Sequence, residues 1–483
     1  MLRYTDRIRT GAARLFAGLL TAALCAGALP AAAVLRAEAA ETTRKTQVIR
    51  TENENEFAAE TSKLAGGNEG LSVMSNGTVV PYSSARLIVG IKDGKSVDLT
   101  RCNAQTLVES GYGVSILQFA TPEEARTAAS KIQSMSGVSY VEPDDTTVTV
   151  GDTQITQIEA GGTDSMNGSS SLGGLSDPFG YGEDEDAVFA SSVSTSAAAV
   201  TTARMSWGAS YIQADQYAAY VKQSTKRTIK VAVVDSGVSA HRMLSGRRLA
   251  GKDFVDNDND PTDKNGHGTH VAGTIVDCTP GLNVYILPVR VMNASGVGNP
   301  SVVGNGIRYA VNSGAKVINL SLGGYGHYKY LEQCISYANK KGVTVVIASG
   351  NGSVNTKRVC PAHLSAPIIV AAINKNGKRA FFSNYGKSID ISAPGVGIRS
   401  CWKNGGFATA DGTSMAAPHI SAVAAMYRLM YPSYSPSKIE KQVKNYARDL
   451  GSRGNDSYYG RGVPRMASAI PKKKTTKKIW IKI

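Results

Sequence analysis

Three residues of the types used in nucleophilic catalysis stand far apart along this chain of 483 residues. Asp235 ends the apolar run "VAVVD", His267 lies between glycines in "NGHGTHVAG", and Ser414 lies in "DGTSMAAPHIS". A serine hydroxyl becomes a nucleophile when an imidazole can take its proton and a carboxylate holds that imidazole in place. The three residues therefore predict nucleophilic chemistry, provided that the fold brings them together.

Each of these residues also has an ordinary structural interpretation. A serine that precedes a helix is usually an N-cap, and a carboxylate at the end of a strand often closes a turn. His267 and His270 are close enough in sequence to be metal ligands, but the glutamate of the zinc motif H-E-x-x-H is missing. Asn351, in "ASGNG", is typical of a turn when it is taken alone.

The elements that must position these residues begin near Thr228, where Val- and Ile-rich runs alternate with helical patterns. Runs such as "IKVAVVDSG" and "KVINLSLGG" are bounded by glycine, as buried parallel strands often are. The repeated order strand, helix, strand predicts an α/β fold, a three-layer sandwich around a mostly parallel sheet. Functional groups gather at the carboxyl ends of such strands, where Asp235 stands.

Composition divides the rest of the chain into regions. Arginines followed by the uncharged run from Leu15 to Leu35 predict a secretory signal, with an uncleaved membrane anchor as the alternative. A helix pattern between strand patterns such as "RLIVGIKDG" and "GVSYVEPD" predicts a small α+β domain. The predicted regions are a signal peptide (1–39), a flexible lead (40–81), the α+β domain (82–145), a Gly/Ser/acidic linker (146–205), the α/β domain (206–468) and a basic tail (469–483).

Charge is distributed unevenly along the chain. The formal net charge is +15, made of −12 over residues 41–200, +24 over residues 201–483 and a small remainder. An acidic front part and a basic back part are expected to attract each other. We expect no nucleic-acid partner, because the lysines are not interleaved with aromatic residues on a recognisable module. The tail from Pro471 either contacts an anionic membrane or wall polymer or, as we favour, is simply solvated.

Four sequence blocks, "VVDSGV", "NGHGTHVAGT", "ASGNG" and "GTSMAAPH", follow one another along the α/β domain. They resemble the signature blocks of the subtilisin-like serine peptidases over about residues 206–468, with that family's order of Asp, His and Ser. The resemblance implies that Asp235 orients His267, that His267 takes the hydroxyl proton of Ser414, and that Ser414 attacks a peptide carbonyl. It also implies that Asn351 and the backbone N–H of Ser414 bind the oxyanion.

The same resemblance implies a substrate pocket and an inhibitor. The segment "SLGG" is similar to the strand that lines the pocket for the residue before the scissile bond, and main-chain pairing there tolerates many sequences. The implied substrate-binding residues are Ser321, Leu322, Gly323 and Gly350, with Val359 near the pocket floor favouring uncharged side chains. The domain at 82–145 is similar to the inhibitory propeptide of the family. About 60 residues follow it where the family usually continues directly, so the maturation point stays open.

Two further questions concern metals and cysteines. No cofactor is required for the implied chemistry. The loop "DFVDNDNDPTDKNG" offers the hard oxygen ligands Asp256, Asp258 and Asp260 as a candidate structural calcium site, with a solvated acidic turn as the alternative. An exported chain permits disulfides, and the four cysteines after residue 200 would allow two bridges whose pairing the sequence does not give.

Taken together, the sequence predicts a secreted serine endopeptidase, made as a precursor that its own propeptide inhibits. It would act through an acyl-enzyme on protein or peptide substrates. One alternative is a dedicated processing protease for a single partner. The other is a non-catalytic binding module on the same fold, which would require a damaged triad.

Overall fold

The computed structural model describes residues 46–51, 56–57, 60, 84–110, 112–145, 148–150, 153–159 and 206–472. The chain divides into two units, Met1–Gln47 and Val48–Ile483, and nearly all of the described residues belong to the second. The predicted signal peptide, residues 160–205 of the predicted linker and the tail from residue 473 lie outside the described residues.

A seven-stranded parallel sheet is the centre of the α/β domain, which is described from residue 206 to residue 472. Its strands are β8 (Ile229–Asp235), β9 (Lys252–Asp253), β10 (Val284–Arg290), β12 (Val317–Leu320), β14 (Thr344–Ala348), β16 (Ile368–Ile373) and β17 (Ile391–Pro394). They lie in the order β17-β16-β14-β12-β8-β10-β9, and every pairing is parallel. The predicted Val- and Ile-rich runs are therefore the strands of this sheet.

Apolar side chains on both faces of the sheet are covered by helices. Along β8, Val231 and Val233 belong to one hydrophobic cluster, whereas Ala232 and Val234 belong to another, because successive side chains of a strand point to opposite faces. The helices of the α/β domain are α2 (Trp207–Tyr211), α3 (Ala214–Ser224), α4 (His267–Cys278), α5 (Pro300–Asn312), α6 (Lys329–Lys340), α7 (Thr413–Met430) and α8 (Pro436–Asn445). Helices α4 and α7 contribute to the first cluster and α5 and α6 to the second, which confirms the predicted α/β sandwich.

The front domain, residues 84–145, is an antiparallel sheet packed against one helix. Its strands are β2 (Arg86–Ile91), β3 (Thr106–Glu109), β4 (Val114–Gln118) and β5 (Val138–Pro143), and the five-stranded sheet has the order β1-β3-β4-β2-β5 with β1 at Gln47–Arg50. Helix α1 (Pro122–Gln133) begins after Thr121, whose side chain accepts a hydrogen bond from the Glu124 backbone N–H, as the cap signals predict. Strand β3 has no counterpart in the sequence analysis.

The region predicted as a linker begins with strands. Strand β6 (Val148–Thr149) pairs with β11 (Val297–Gly298), and β7 (Gln154–Glu159) pairs with β19 (Phe407–Asp411), both antiparallel. The structure therefore differs from the prediction at residues 148–149 and 154–159, which are strands. The pairing partners lie more than a hundred residues away along the chain, so the local composition could not indicate them.

Short elements complete the α/β domain. They are β13 (Gly324–Tyr325), β15 (Val359–Cys360), β18 (Ile398–Cys401), β20 (Ala447–Arg448), β21 (Val463–Pro464) and the 3₁₀ turns Arg242–Leu244, Thr356–Arg358, Lys403–Gly405 and Met466–Ala469. Among the helices that the structure describes, none combines the length and the hydropathy needed to cross a membrane.

Candidate active site

Asp235 and His267 form a hydrogen-bonded pair at the carboxyl end of the central sheet. Asp235 is the last residue of β8, and its Oδ1 lies 2.8 Å from His267 Nδ1. Both side chains are almost fully buried. Because Nδ1 donates its proton to the carboxylate, Nε2 is the ring nitrogen that can accept another proton. This Nε2 is buried and has no hydrogen-bond partner among the described residues.

Two glycines allow the helix that begins at His267 to approach the sheet closely. Gly266 has a φ of +119°, and a side chain there would collide with the indole of Trp402. At Gly268, an added Cβ would lie 2.1 Å from the carbonyl oxygen of Gly237, just beyond the end of β8. Glycine at both positions therefore lets the imidazole reach the carboxylate of Asp235.

Asp263 fastens the loop before His267 and was missed as a functional residue in the sequence analysis. Its Oδ1 accepts hydrogen bonds from the Ser236 hydroxyl at 2.9 Å and from the Gly266 backbone N–H at 2.7 Å. Its Oδ2 accepts from the backbone N–H and the hydroxyl of Thr269 at 2.9 and 2.7 Å. Burial raises the pKa of Asp263, whereas these hydrogen bonds oppose the rise. The side chain thus ties the residue after Asp235 to the first turn of α4.

His270, weighed above as a metal ligand beside His267, has a structural position instead. Its Nε2 lies 2.9 Å from the carbonyl oxygen of Ile398 and 3.1 Å from that of Ala408, so it donates to the β18–β19 hairpin. The ring is fully buried, and burial lowers its pKa to about 3. His270 therefore stays neutral and joins α4 to that hairpin.

Ser414 lies in the first turn of α7, immediately after β19 and Gly412. The predicted helix start is confirmed. The Ser414 hydroxyl oxygen lies 3.2 Å from two carbonyl oxygens, those of Ser321 and Val150. Its hydrogen bond is therefore to a carbonyl rather than to His267 Nε2 in this structure.

The Asn351 side chain is held in one orientation by Thr413. Asn351 Oδ1 accepts hydrogen bonds from the backbone N–H and the hydroxyl of Thr413, both at 2.8 Å. The same hydroxyl accepts a hydrogen bond from the Gly350 backbone N–H at 3.0 Å. Because Oδ1 is engaged, Nδ2 remains as a donor without a partner among the described residues. Thr413 is a positioning residue that the sequence analysis missed, although it directly precedes Ser414.

The residues predicted to bind substrate lie around Ser414. The Ser321 hydroxyl donates to the carbonyl oxygen of Ser414 at 2.8 Å, and Leu322 is buried beside it. Gly350 has a φ of +95°, and its Cβ position would lie 3.6 Å from a methyl group of Val359. Of the predicted pocket residues, Ser321 therefore contacts Ser414 itself and Gly350 contacts the adjacent Thr413.

A segment of the chain itself occupies the groove between β11 and Gly323. Thr149 exchanges two backbone hydrogen bonds with Gly323, N–H to O at 2.9 Å in each direction. The next residue, Val150, donates its N–H to the Gly296 carbonyl oxygen at 3.0 Å. Strand β6 therefore pairs with β11 on one side and bridges to Gly323 on the other, and the carbonyl of the next residue, Val150, contacts Ser414 Oγ.

Two carboxylates of the front domain cap helices of the α/β domain. Glu142 accepts hydrogen bonds from the backbone N–H groups of Lys329 and Tyr330 at 2.7 and 3.0 Å, at the start of α6. Asp144 accepts from the backbone N–H and the hydroxyl of Ser301 at 3.0 and 2.6 Å, at the start of α5. Helix N-termini carry unpaired N–H groups and partial positive charge, so acidic side chains suit them.

Asp144 also pairs with Arg86 of the front domain itself. The Arg86 Nη2 atom lies 3.1 Å from Asp144 Oδ2, and both side chains are at most 2 % exposed. This carboxylate therefore contacts Arg86 of the front domain and Ser301 of the α/β domain at the same time.

The loop predicted as a candidate calcium site does not gather its carboxylates. Asp256 Oδ2 lies 2.6 Å from Lys264 Nζ and also contacts Arg290, and the Lys264 hydrogen bond is the largest cause of its lowered pKa. Asp258 and Asp260 accept hydrogen bonds from their own loop, from the backbone N–H groups two residues later. No cluster of three metal-ligand atoms among the described residues includes these carboxylates. The three side chains therefore do not fit a calcium cage, because two cations and local turns already use them.

No disulfide joins the cysteines that the structure describes. Cys278 and Cys401 belong to one hydrophobic cluster, and Cys334 and Cys360 belong to the other. They pack as small apolar side chains. Burial raises the pKa of the Cys401 thiol to about 12, which disfavours the reactive thiolate.

Comparison with known proteins shows the family to which this chain belongs. The Subtilase family model matches residues 226–462. The M-protease of Shouchella clausii strain KSM-K16 is 40 % identical over 281 residues, which cover 56 % of this chain and 72 % of that protein. This chain belongs to the subtilase family. It is a serine endopeptidase of the subtilisin type.

Two other similar proteins cover about the same share of this chain. Subtilisin Savinase from Lederbergia lenta is 39 % identical over 270 residues, which cover 54 % of this chain and 97 % of that protein. A solved structure described as a lanthipeptide protease is 27 % identical with a TM-score of 0.51, covering 55 % of this chain and 94 % of that one. The resemblance to subtilisin-like peptidases inferred from the four sequence blocks is thereby confirmed.

Proposed function

We propose that this chain is a secreted zymogen that Ser414 activates by cutting the chain after the front domain, and that the mature enzyme cuts other proteins in the same groove. The observation that carries the proposal is the segment 148–150. It lies as a strand between β11 and Gly323, and the carbonyl oxygen of Val150 is 3.2 Å from Ser414 Oγ. A chain held this way is bound as a peptide substrate would be, mainly through its backbone.

The proposed chemistry uses the side chains described above. His267 Nε2 takes the hydroxyl proton while Ser414 Oγ attacks the peptide carbonyl, and Asp235 stabilises the resulting imidazolium. The C–N bond then breaks, the imidazolium gives its proton to the leaving amine, and the acyl group stays on Ser414. Water, deprotonated by the same imidazole, hydrolyses the ester and releases the carboxyl product.

Stabilisation of the oxyanion is assigned to Asn351 and to the start of α7. Thr413 holds Asn351 Oδ1, so Nδ2 is available to donate to a negatively charged oxygen. The backbone N–H of Ser414 lies in the first turn of a helix, where such groups lack intrahelical partners. Two donors of this kind are worth most when they are aimed at charge that develops only in the transition state.

The inhibitory role of the front domain is supported by its contacts with the α/β domain. Its carboxylates Glu142 and Asp144 cap two helices, and the strand that follows them fills the groove. We infer that the processing bond lies between Val150 and Thr153. Before this interval Thr149 pairs with Gly323, and after it residues from Gln154 onward pair with β19. The proposed processing bond therefore lies in the short interval between two paired segments, next to the Val150 carbonyl that contacts Ser414.

Secretion belongs to the same proposal. It rests on the arginine-then-apolar pattern of residues 1–39, which lie outside the described residues. Export of the precursor would keep the active protease away from the proteins of the cell that makes it. N-terminal sequencing of the Ser414→Ala chain in the medium, which should not process itself, would support this part if the signal is cleaved after Ala33 or Ala39.

The test compares the full chain with Ser414→Ala. Both are treated with a fluorophosphonate probe, and their N-termini are determined by mass spectrometry. We expect labelling and a new N-terminus at residues 151–153 in the parent, and neither in the variant. Equal labelling of the two proteins would refute Ser414 as the nucleophile, and equal processing would refute self-cleavage.

A second candidate function is dedicated processing of one partner. One observation favours it, namely the fold similarity to the structure described as a lanthipeptide protease. Casein digestion by the mature enzyme separates the two candidates. A general endopeptidase degrades casein to many peptides, whereas a dedicated processing protease leaves casein intact and cuts a defined peptide only.

A further inference from the structure

Two histidines and one glutamate converge beside the substrate pocket and play no part in the proposed chemistry. His327 follows strand β13, Glu332 lies in the first turn of α6, and His363 follows strand β15. One ligand atom from each lies within 4.8 Å of the others. Since β13 pairs with β15, the three side chains connect a two-stranded sheet to a helix.

The hydrogen bonds of His363 fix which of its nitrogens faces the glutamate. His363 Nδ1 lies 3.2 Å from the carbonyl oxygen of Val359, and a carbonyl can only accept, so Nδ1 carries the proton. In the neutral ring, Nε2 is then a bare acceptor, and it lies 3.2 Å from Glu332 Oε1. Histidines that bind metals commonly donate their other ring N–H to a backbone carbonyl in this way.

Glu332 Oε1 is buried and has no hydrogen-bond partner among the described residues. It lies 3.4 Å from His327 Nδ1 and 3.2 Å from His363 Nε2, while Oε2 faces the Lys329 ammonium at 3.8 Å. Acceptor atoms this close repel each other unless a proton or a cation stands between them. A buried carboxylate oxygen without a donor also carries an uncompensated desolvation cost.

The separations of these atoms match those of ligands on one small metal ion. Two ligand atoms about 2.0–2.1 Å from a tetrahedral Zn²⁺ lie about 3.3 Å from each other. In the structure, Glu332 Oε1 lies 3.2 Å from His363 Nε2 and 3.4 Å from His327 Nδ1, and the ligand atoms of all three residues lie within 4.8 Å of one another. The His327 side chain is 57 % exposed, whereas those of Glu332 and His363 are 16 % and 15 % exposed. The site is therefore open on the His327 side, where an ion can enter and a water can complete the coordination.

We propose that His327, Glu332 and His363 bind a divalent transition-metal ion, with Zn²⁺ as the ion that suits them best. Two imidazoles and one carboxylate favour Zn²⁺, Co²⁺ or Ni²⁺ over Ca²⁺ and Mg²⁺, which prefer oxygen ligands. The bound ion joins the β13–β15 pair to α6. Because Val359 of β15 also lies next to Gly350, the ion braces one wall of the substrate pocket.

The test uses the full chain with Ser414→Ala, which prevents self-digestion, after removal of metals with a chelator. Zn²⁺ binding is measured by calorimetry, and Co²⁺ binding by visible absorption, which reports tetrahedral coordination. The cluster variants are His327→Ala, Glu332→Gln and His363→Ala. The matched control is Glu440→Gln, which changes a carboxylate on α8 that pairs with Lys444.

We expect one Zn²⁺ per chain in the parent and in the Glu440→Gln control. Each cluster variant should bind it at least 10- to 100-fold more weakly, since changes in the surroundings of a metal ligand already cost this much. Zn²⁺ should raise the unfolding temperature of the parent and the control, but not that of His363→Ala. Metal-free unfolding of each variant shows whether it still folds.

Two results would overturn the proposal. One is Zn²⁺ binding that is equally tight in the parent and in all three cluster variants, which would place the ion elsewhere, for example at His267. The other is no Zn²⁺ or Co²⁺ binding by the parent, which would mean that a proton on His363 alone neutralises Glu332.

Discussion

Replacing Thr413 by valine removes a hydroxyl without changing the size of the side chain. That hydroxyl donates to Asn351 Oδ1 at 2.8 Å and accepts from the Gly350 N–H at 3.0 Å. The Thr413 backbone N–H keeps its own bond to Oδ1, so Asn351 is loosened rather than released. A neutral hydrogen bond contributes about 0.5–1.5 kcal/mol, and loss of an oxyanion donor in a subtilisin costs about 10²–10³ in kcat. The valine variant should therefore lose about tenfold in kcat, roughly 1.4 kcal/mol.

The kinetic signature of this loss is specific. The oxyanion exists only in the transition state, so KM should stay within about twofold while kcat falls. The conservative variant Thr413→Ser, which keeps a hydroxyl, should restore most of kcat. Hydrolysis of a chromogenic peptide by the mature enzymes measures both constants.

A double-mutant cycle with Asn351→Ala decides whether Thr413 acts through Asn351. When the Asn351 amide is absent, Thr413→Val should change kcat by less than about twofold, because it has no donor left to orient. A tenfold loss in both backgrounds would refute the reasoning. It would show that the hydroxyl matters for the Gly350 segment or for folding instead.

Three further perturbations have defined outcomes. Thr149→Pro removes the backbone N–H that Thr149 donates to Gly323, so self-processing should become about tenfold slower or more. The precursor should then persist on gels, and an unchanged rate of processing would argue against the observed pairing. Asp144→Asn removes the anion beside Arg86 and at the start of α5, so the precursor should become active after a shorter lag; an equal or longer lag would count against the docking role. Burial lowers the pKa of His270 to about 3, so the stability it supports is present above its ordinary pKa of 6.5 and is lost as pH falls. Protonation of His270 should therefore lower the free energy of unfolding of the Ser414→Ala chain by roughly 3 kcal/mol between pH 6.5 and pH 4, as measured with urea. Adding His270→Gln should make this free energy depend less on pH.

Much of the fold is predictable because the signals are local. The strand β8 is an uninterrupted apolar run that ends at Asp235, and α1 starts at a threonine followed by proline and two glutamates. Such runs and caps fix an element without reference to distant residues. Strand β7 has no comparable signal, since its residues are mostly exposed and its partner β19 lies about 250 residues later. The composition of this segment therefore predicts a linker where the structure has a strand.

The candidate site also contains some residues that local sequence indicates and others that it does not. Asp235, His267 and Asn351 stand in sequence blocks that indicate their neighbourhood, and in the structure Asp235 is hydrogen-bonded to His267 and Asn351 to Thr413. The role of Asp263 depends on hydrogen bonds to residues on both sides of it, and these bonds exist only after the loop has closed. In the acidic loop, by contrast, the sequence suggests a site that the contacts in the structure do not favour. Its carboxylates suggested calcium, but Arg290, more than thirty residues away, neutralises Asp256.

The two strands on either side of residues 151 and 152 determine how maturation depends on protein concentration. Thr149 is paired with Gly323 and residues 154–159 with β19, and the Val150 carbonyl oxygen lies 3.2 Å from Ser414 Oγ of the same molecule. Under the proposed function, the first cut is a unimolecular event. Its rate constant should not change on dilution, and each precursor should process itself once regardless of how many active enzymes surround it. Removal of the front domain by digestion, in contrast, requires a second molecule and becomes slower as the protein is diluted.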